Sequence, residues 1–289
     1  SLAKSSSVIP QDWLSCLKRL NRFHLQSIMI DYSDKLSPLL SGKYQLTNAI
    51  VSHKKDIWTS TGNIQLPLTV GQQLQFQAQL NLDNKNIEAS RWQWQAKANS
   101  LKLATLVEQV TWKDVAFEQG LADVNLSGEG LGIILSSLKI GLDVSKSQLV
   151  SLQQDSEKPP VIIDRLTGTI DWINKDTSWQ LSVRDMQLQM NGDVWPETNF
   201  TVNKNNDDSW LIAGNYIRLS DLTAIASLSE YSPEIIRQQQ PAGDIENFNV
   251  RYSAEKGVSG LALSLHDGVF TSWQDYPGVT GLTMKLDWN

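Results

Sequence analysis

The chain of 289 residues has a single cysteine, Cys16. One thiol excludes an intramolecular disulfide framework and any metal site built on several cysteines. Histidine is almost as scarce. His24, His53 and His266 stand far apart and lack the HxxxH and HExxH spacings, so no metal site is expected. Basic residues are not in excess: 25 Lys and Arg face 31 Asp and Glu, a formal net charge of −6. Phosphate binding needs a basic face, so nucleic acid is not an expected partner. No apolar run approaches the roughly 18 residues that read as a membrane span. The chain opens on Ser1 without a secretory signal and ends on "MKLDWN" in mid-strand, so it reads as a middle segment of something longer.

Catalytic signatures are missing as well. "HDG" at 266–268 looks like part of a triad, but no GxSxG elbow accompanies it, and it reads as a surface turn. "SGEGLG" at 127–132 has the wrong spacing for a dinucleotide loop. "NKNNDD" at 203–208 lacks the central Gly and closing Glu of a calcium loop and reads as a solvated hairpin turn. Nothing here supports an enzyme. No catalytic residue, metal ligand or cofactor is assigned.

What the sequence has is alternation. "LQFQAQLNL" places Leu74, Phe76, Ala78, Leu80 and Leu82 on one face and Gln75, Gln77, Gln79 and Asn81 on the other, the mark of a half-buried strand. The polar stop "DNKN" follows, and "IEASRWQWQAKA" resumes the pattern with Trp92, Trp94, Ala96 and Ala98, a hairpin with a loose turn. Similar strands recur to the end of the chain, among them "GLALSL" with Leu261, Leu263 and Leu265. The expected fold is mainly β and antiparallel, with few short helices and helix below a fifth of residues. Expected helices are "PQDWLSCLKRLNRF" from Pro10, "SDLTAIASLSEY" with Ser220 as N-cap, and "PEIIRQQQ" from Pro233, closed by Pro241. The first carries Trp13, Leu14, Leu17 and Leu20 on one stripe opposite Lys18, Arg19 and Arg22. It could lie on an anionic membrane or cap an open sheet end. Eleven tryptophans are many for this length; they could form a ring platform for sugar or lipid, or pack across strands, the commoner use.

One phrase is written twice. "ANSLKLATLVEQ" from Ala98 and "GNYIRLSDLTAI" from Gly214 align with Asn99 on Asn215, an offset of 215 − 99 = 116. "LTGTIDW" ending at Trp172 and "LTMKLDW" ending at Trp288 repeat the offset, 288 − 172 = 116. A period this long exceeds the roughly 20–50 residues of a solenoid turn. It describes a package of several antiparallel strands, a short helix and further strands. The expected organisation is one continuous segment over 1–289, with a helix and leading strands over 1–44, a first unit over 45–160 and a second, incomplete unit over 161–289. Both copies of the phrase should cross from strand to helix.

"IRLSDLTAIASL", "PEIIRQQQPAGDIENFNVRYS" and "FTSWQDYPGVTGLTMKLDW" resemble the AsmA-like family of bridge-like bacterial lipid transporters. The family's return strand is matched by Pro241, Gly243, Ile245 and Phe248, and its hairpin by Trp273, Pro277, Gly278, Val279, Gly281 and Leu282. The resemblance extends over nearly the whole chain; the hairpin is its most specific part. It implies an elongated, U-shaped β-groove, in a protein anchored to the inner membrane of a Gram-negative bacterium. Such a groove crosses the periplasm and carries phospholipid toward the outer membrane. Its partners would be phospholipid acyl chains and inner- and outer-membrane components contacted by parts outside this segment. The groove-lining candidates are Leu74, Phe76, Ala78, Leu80, Leu82, Leu261, Leu263 and Leu265. Two other classes remain open: a structural β-repeat scaffold with a closed core, and a carbohydrate-binding β-sandwich using Trp92, Trp94 or Trp273.

Overall fold

The computed structural model describes residues 21–33, 41–83, 86–107, 114–153 and 158–288. Of the described residues about 70% are in strands and 9% in helices, a helix share within the expected ceiling. Fifteen strands form one antiparallel sheet that is curved and not closed. They are β1 (Arg22–Tyr32), β2 (Gly42–Lys54), β3 (Ile57–Gln65), β4 (Gln73–Asn81), β5 (Arg91–Lys102), β6 (Val115–Leu131), β7 (Ile134–Ser151) and β8 (Val161–Lys175). The series continues with β9 (Ser178–Met190), β10 (Asp193–Val194), β11 (Thr198–Lys204), β12 (Ser209–Arg218), β13 (Ala242–Ser253), β14 (Gly257–Phe270) and β15 (Val279–Trp288). Each strand pairs with its sequence neighbours, except that the two-residue β10 hangs on β9 and leaves β11 beside β9.

This meander gives the sheet two unlike long margins. Along one lie tight hairpin turns, such as Lys55–Asp56, Gly132–Ile133 and Asp176–Thr177. Along the other lie the longer connections, which carry the helices α1 (Leu103–Val107), α2 (Leu219–Ser227) and α3 (Glu234–Gln239). Both copies of the repeated phrase cross from strand to helix, at Leu103 and Leu219, and 219 − 103 is again 116.

The curvature has a local origin. Asn48, Ser100, Lys146, Asp185, Asn247 and Asp267 all have positive φ within strands. Each sits where two residues oppose one across the ladder. Such bulges bend a strand and tighten its twist. Asn, Asp and Ser suit them because short polar side chains tolerate the left-handed region. Side chains of neighbouring strands take up displaced N–H groups: Ser100 N donates to Asp123 Oδ1 at 2.7 Å and Asp185 N to Asn199 Oδ1 at 2.9 Å.

Several expectations need correction. The first helix was expected from Pro10 to Phe23; residues 1–20 lie outside the described residues, and Arg22 and Phe23 already belong to β1, paired with Ser52 and Val51. Ser220 is not an N-cap. Arg218 holds that position without a side-chain bond, because β12 runs straight into α2 and leaves Ser220 in the first turn. Ile87–Ala89 form a 3-10 turn, so the alternation resumes only at Arg91. His266–Gly268 is not a turn but the bulge of β14.

Candidate functional site

Cross-strand register turns the period-two alternation into rows that run across the sheet. Gly62 opposes Phe76, and the row continues through Ala96, Leu126, Ile140, Ile170, Val183, Phe200 and Gly214 to Phe248. The next row runs from Ser60 through Ala78, Trp94, Gly128, Leu138, Trp172, Leu181, Val202, Ile212, Val250 and Leu261 to Trp288. Neither row contains a charge. On the opposite face the corresponding row begins Gln77, Gln95, Ser127, Lys139, Asp171 and Ser182. Gln95 Nε2 donates to Gln77 Oε1 at 3.1 Å, and Arg184 pairs with Asp171, so that face is held by polar contacts among solvated groups.

The sequence-derived candidates fall on the apolar face. Leu74, Phe76, Ala78 and Leu80 alternate along β4, half-buried, and Leu82 lies one residue past its end. Leu261, Leu263 and Leu265 alternate along β14 opposite Trp288, Leu286 and Met284. Leu261 and Leu263 are half-buried; Leu265 is buried. The sheet thus carries both groups on one surface, nine strands apart in the order of pairing, and joins them through the apolar rows.

Four aromatic rings lie flat along this surface because glycine stands opposite them. A Cβ on Gly130 would come within 2.2 Å of the Trp92 ring, and one on Gly128 within 2.9 Å of Trp94 Nε1. Gly62 makes the same room for Phe76 and Gly214 for Phe248, at 2.9 and 2.5 Å. This is the use of the "SGEGLG" stretch, whose glycines sequence reasoning tested only against nucleotide loops. The glycines let large rings cover the floor without standing up into the space above it.

Among the described residues, the α-helices pack at the margin with the long connections. Leu103 of α1 packs with Ala122 and Val144, against Val124 and Leu142. Leu228, just beyond α2, sits in a buried cluster with Val115, Leu149, Val161, Ile163 and Met190. Two polar clamps hold α2 in place. Ser229 Oγ donates to Asp114 Oδ1 at 2.8 Å and Glu230 N to Asp114 Oδ2 at 2.5 Å, linking positions 115 and 116 residues apart. Burial pushes the Asp114 carboxyl up, but the bonds from Glu230, Ser229 and Gln153 together outweigh it and hold the carboxyl below its ordinary value. At the other end Trp195 Nε1 donates to the buried Asp221 carboxylate at 2.5 Å. Tyr216 OH donates to Asp244 Oδ1 at 2.6 Å, and burial together with that bond pushes the phenol up to about 12. These clamps were not legible in sequence, since adjacent polar residues in a connection carry no sign of a partner a hundred residues away.

Two concavities of about 710 and 700 Å³ lie on the polar face, between side chains such as Gln75, Gln77, Gln95, Lys97 and Lys139. An acyl chain there would strip water from amides and ammonium groups without replacing their hydrogen bonds. These concavities therefore do not compete with the apolar face for lipid. Among the described residues, no group of His, Cys, Asp and Glu could hold a metal ion, and no helix is long and apolar enough to cross a membrane. The family model described as YhdP protein matches the chain over residues 1–289. No curated protein and no solved structure matches it.

Proposed function

This chain belongs to the YhdP protein family, and on that premise we propose that it forms a section of an apolar trough along which phospholipid moves between inner and outer membranes. The protein acts in the periplasm of a Gram-negative bacterium, held to the inner membrane by parts outside this segment. The segment binds and guides; it does no covalent chemistry. Leu74, Phe76, Ala78, Leu80, Leu82, Leu261, Leu263 and Leu265 line the trough.

One observation carries this reading: two charge-free rows cross the sheet while most of their side chains are only half-buried. A single-layer sheet needs a partner for its apolar face, and an open patch of this extent invites association unless something covers it. Among the described residues, the α-helices cover part of one margin. Exposing a 16-carbon acyl chain to water costs on the order of 12 kcal/mol at about 0.8 kcal/mol per methylene. A floor that is apolar without interruption removes most of that cost at every position, so a chain can slide without a large barrier. The scaffold reading needs a closed core, whereas the buried apolar clusters lie at the helical margin. The carbohydrate reading needs hydrogen-bonding side chains beside a ring, and across the strands Trp92 stands between Leu80 and Gly130 and Trp94 between Ala78 and Gly128.

Native mass spectrometry of the full-length protein, purified from its membrane in mild detergent, tests the proposal. Adducts with the mass of diacyl phospholipid are expected, and they should diminish when Phe76 and Leu263 are replaced by Asp. Absence of lipid adducts from the unsubstituted protein overturns it.

A further inference from the structure

The apolar face changes character from its centre to the hairpin margin. The central row holds Phe76, Phe200 and Phe248 and no tryptophan. The row nearest the turns holds Trp58, Trp92, Trp179, Trp210 and Tyr252, and it admits Lys204 between Trp179 and Trp210. Rings that are pure hydrocarbon thus give way to rings with a polar N–H or O–H over a few strand residues. Over the middle of the sheet the margin with the helices is covered, because α1 and α2 pack onto it.

The indole N–H groups at the hairpin margin differ in whether the protein itself takes them up. Trp92 Nε1 donates to Gly132 O at 2.8 Å. Trp58 stacks on His53 at 4.4 Å and Trp179 meets Trp210 edge to face at 5.3 Å, so the rings are held by one another. The N–H groups of Trp58, Trp179 and Trp210 have no hydrogen-bond partner among the described residues, yet none is among the buried polar atoms lacking one. The three rings are half-buried, not enclosed. Indole takes the boundary between hydrocarbon and water in membranes for the same reason: its body is apolar and its edge is a donor.

We propose that a diacyl phospholipid lies in the trough in one orientation, with its glycerol esters and headgroup over the tryptophan belt at the hairpin margin and its acyl chains toward the phenylalanine row. The proposal rests on the trough reading and adds a direction across it. The N–H groups of Trp58, Trp179 and Trp210 donate to ester or phosphate oxygens, and the helical margin stays closed to headgroups. Lipids would then travel in single file with their headgroups all on one side.

Site-specific photo-crosslinking in the full-length protein decides this. A benzophenone amino acid replaces Trp58 or Trp210 at the margin, and Phe76 or Phe200 at the centre. The protein is irradiated after incubation with vesicles of phosphatidylethanolamine and phosphatidylglycerol. Adducts are then treated with mild base, which cleaves the esters. A crosslink to an acyl chain leaves a fatty-acid mass on the protein; a crosslink to glycerol or headgroup leaves a glycerophosphate mass. The expected result is a several-fold excess of glycerophosphate remnants at the two margin positions and fatty-acid remnants alone at the two central ones. Fatty-acid remnants in equal proportion at all four positions, or the reverse pattern, overturn the orientation while leaving the trough standing. No adduct at any of the four overturns both.

Discussion

Phe76→Asp separates an open trough from a closed core. The ring of Phe76 rests on Gly62 and is half-buried in the central row. Removing a fully buried Phe costs about 3–5 kcal/mol, so a half-buried one should cost about 2. If the face is open, the new carboxylate stays hydrated in the absence of lipid and adds little. For a chain of this size that corresponds to a fall in melting temperature of about 4–8 °C. If the face is a closed core, an unpaired carboxylate adds several kcal/mol more, a large share of the total stability of about 5–15 kcal/mol. The segment would then fail to fold. For lipid the signs reverse. An acyl chain sliding over the carboxylate must strip its water, and two or three methylenes that avoid it lose about 2 kcal/mol of burial at about 0.8 kcal/mol each. Lipid crosslinking at a probe in place of Leu74 should therefore fall at least tenfold, while Phe76→Leu should keep both lipid and stability near the parent. The assay is a thermal melt beside that crosslinking yield. Global unfolding of the Asp variant, or crosslinking at the parent level with the fold intact, refutes the reasoning.

The remaining predictions concern the floor and the clamps. Gly128→Ala should lift the Trp94 ring, since a Cβ would stand 2.9 Å from its Nε1; a shifted tryptophan emission and a stability loss of about 1–3 kcal/mol are expected, and an unchanged spectrum would count against a flat ring. Asp114→Asn should free the end of α2, raising hydrogen exchange over 224–230 with little effect on β4. The Asp114 carboxyl is held below its ordinary value, so its contribution is full above the unfolded value and is lost as pH falls through the lower folded one; exchange of the parent should approach that of the variant only in acid. For Tyr216 the sign is opposite. Its phenol is raised from 10.0 to about 12, so stability from the Asp244 bond is complete below about pH 10 and fades as pH rises toward about 12. Melting curves of Tyr216→Phe and the parent should differ at neutral pH and converge at strongly alkaline pH.

The alternation that makes this protein a sheet was legible in the residues. "LQFQAQLNL" and "GLALSL" place their leucines on one face because a strand's side-chain period is two, a property of a single segment that needs no partner. The repeated phrase marked the strand-to-helix passages at Leu103 and Leu219 for the same reason: strand end and helix start are written in consecutive residues. Register is another matter. That Trp94 lies over Gly128, and Phe248 over Gly214, depends on how two strands are aligned, and a slip of one residue would send every side chain to the other face. The bulges at Asn48, Ser100, Asp185 and Asn247 exist only as a mismatch in count between paired strands, so in sequence they look like polar interruptions of a pattern. The clamp of Ser229 on Asp114 joins residues whose separation no local rule relates. Period and propensity act along the chain and decided that there would be an amphipathic sheet. Pairing acts between chain segments, and it decided that the apolar faces form continuous rows, that the sheet bends, and that helices cover part of one margin while a row rich in tryptophan follows the other.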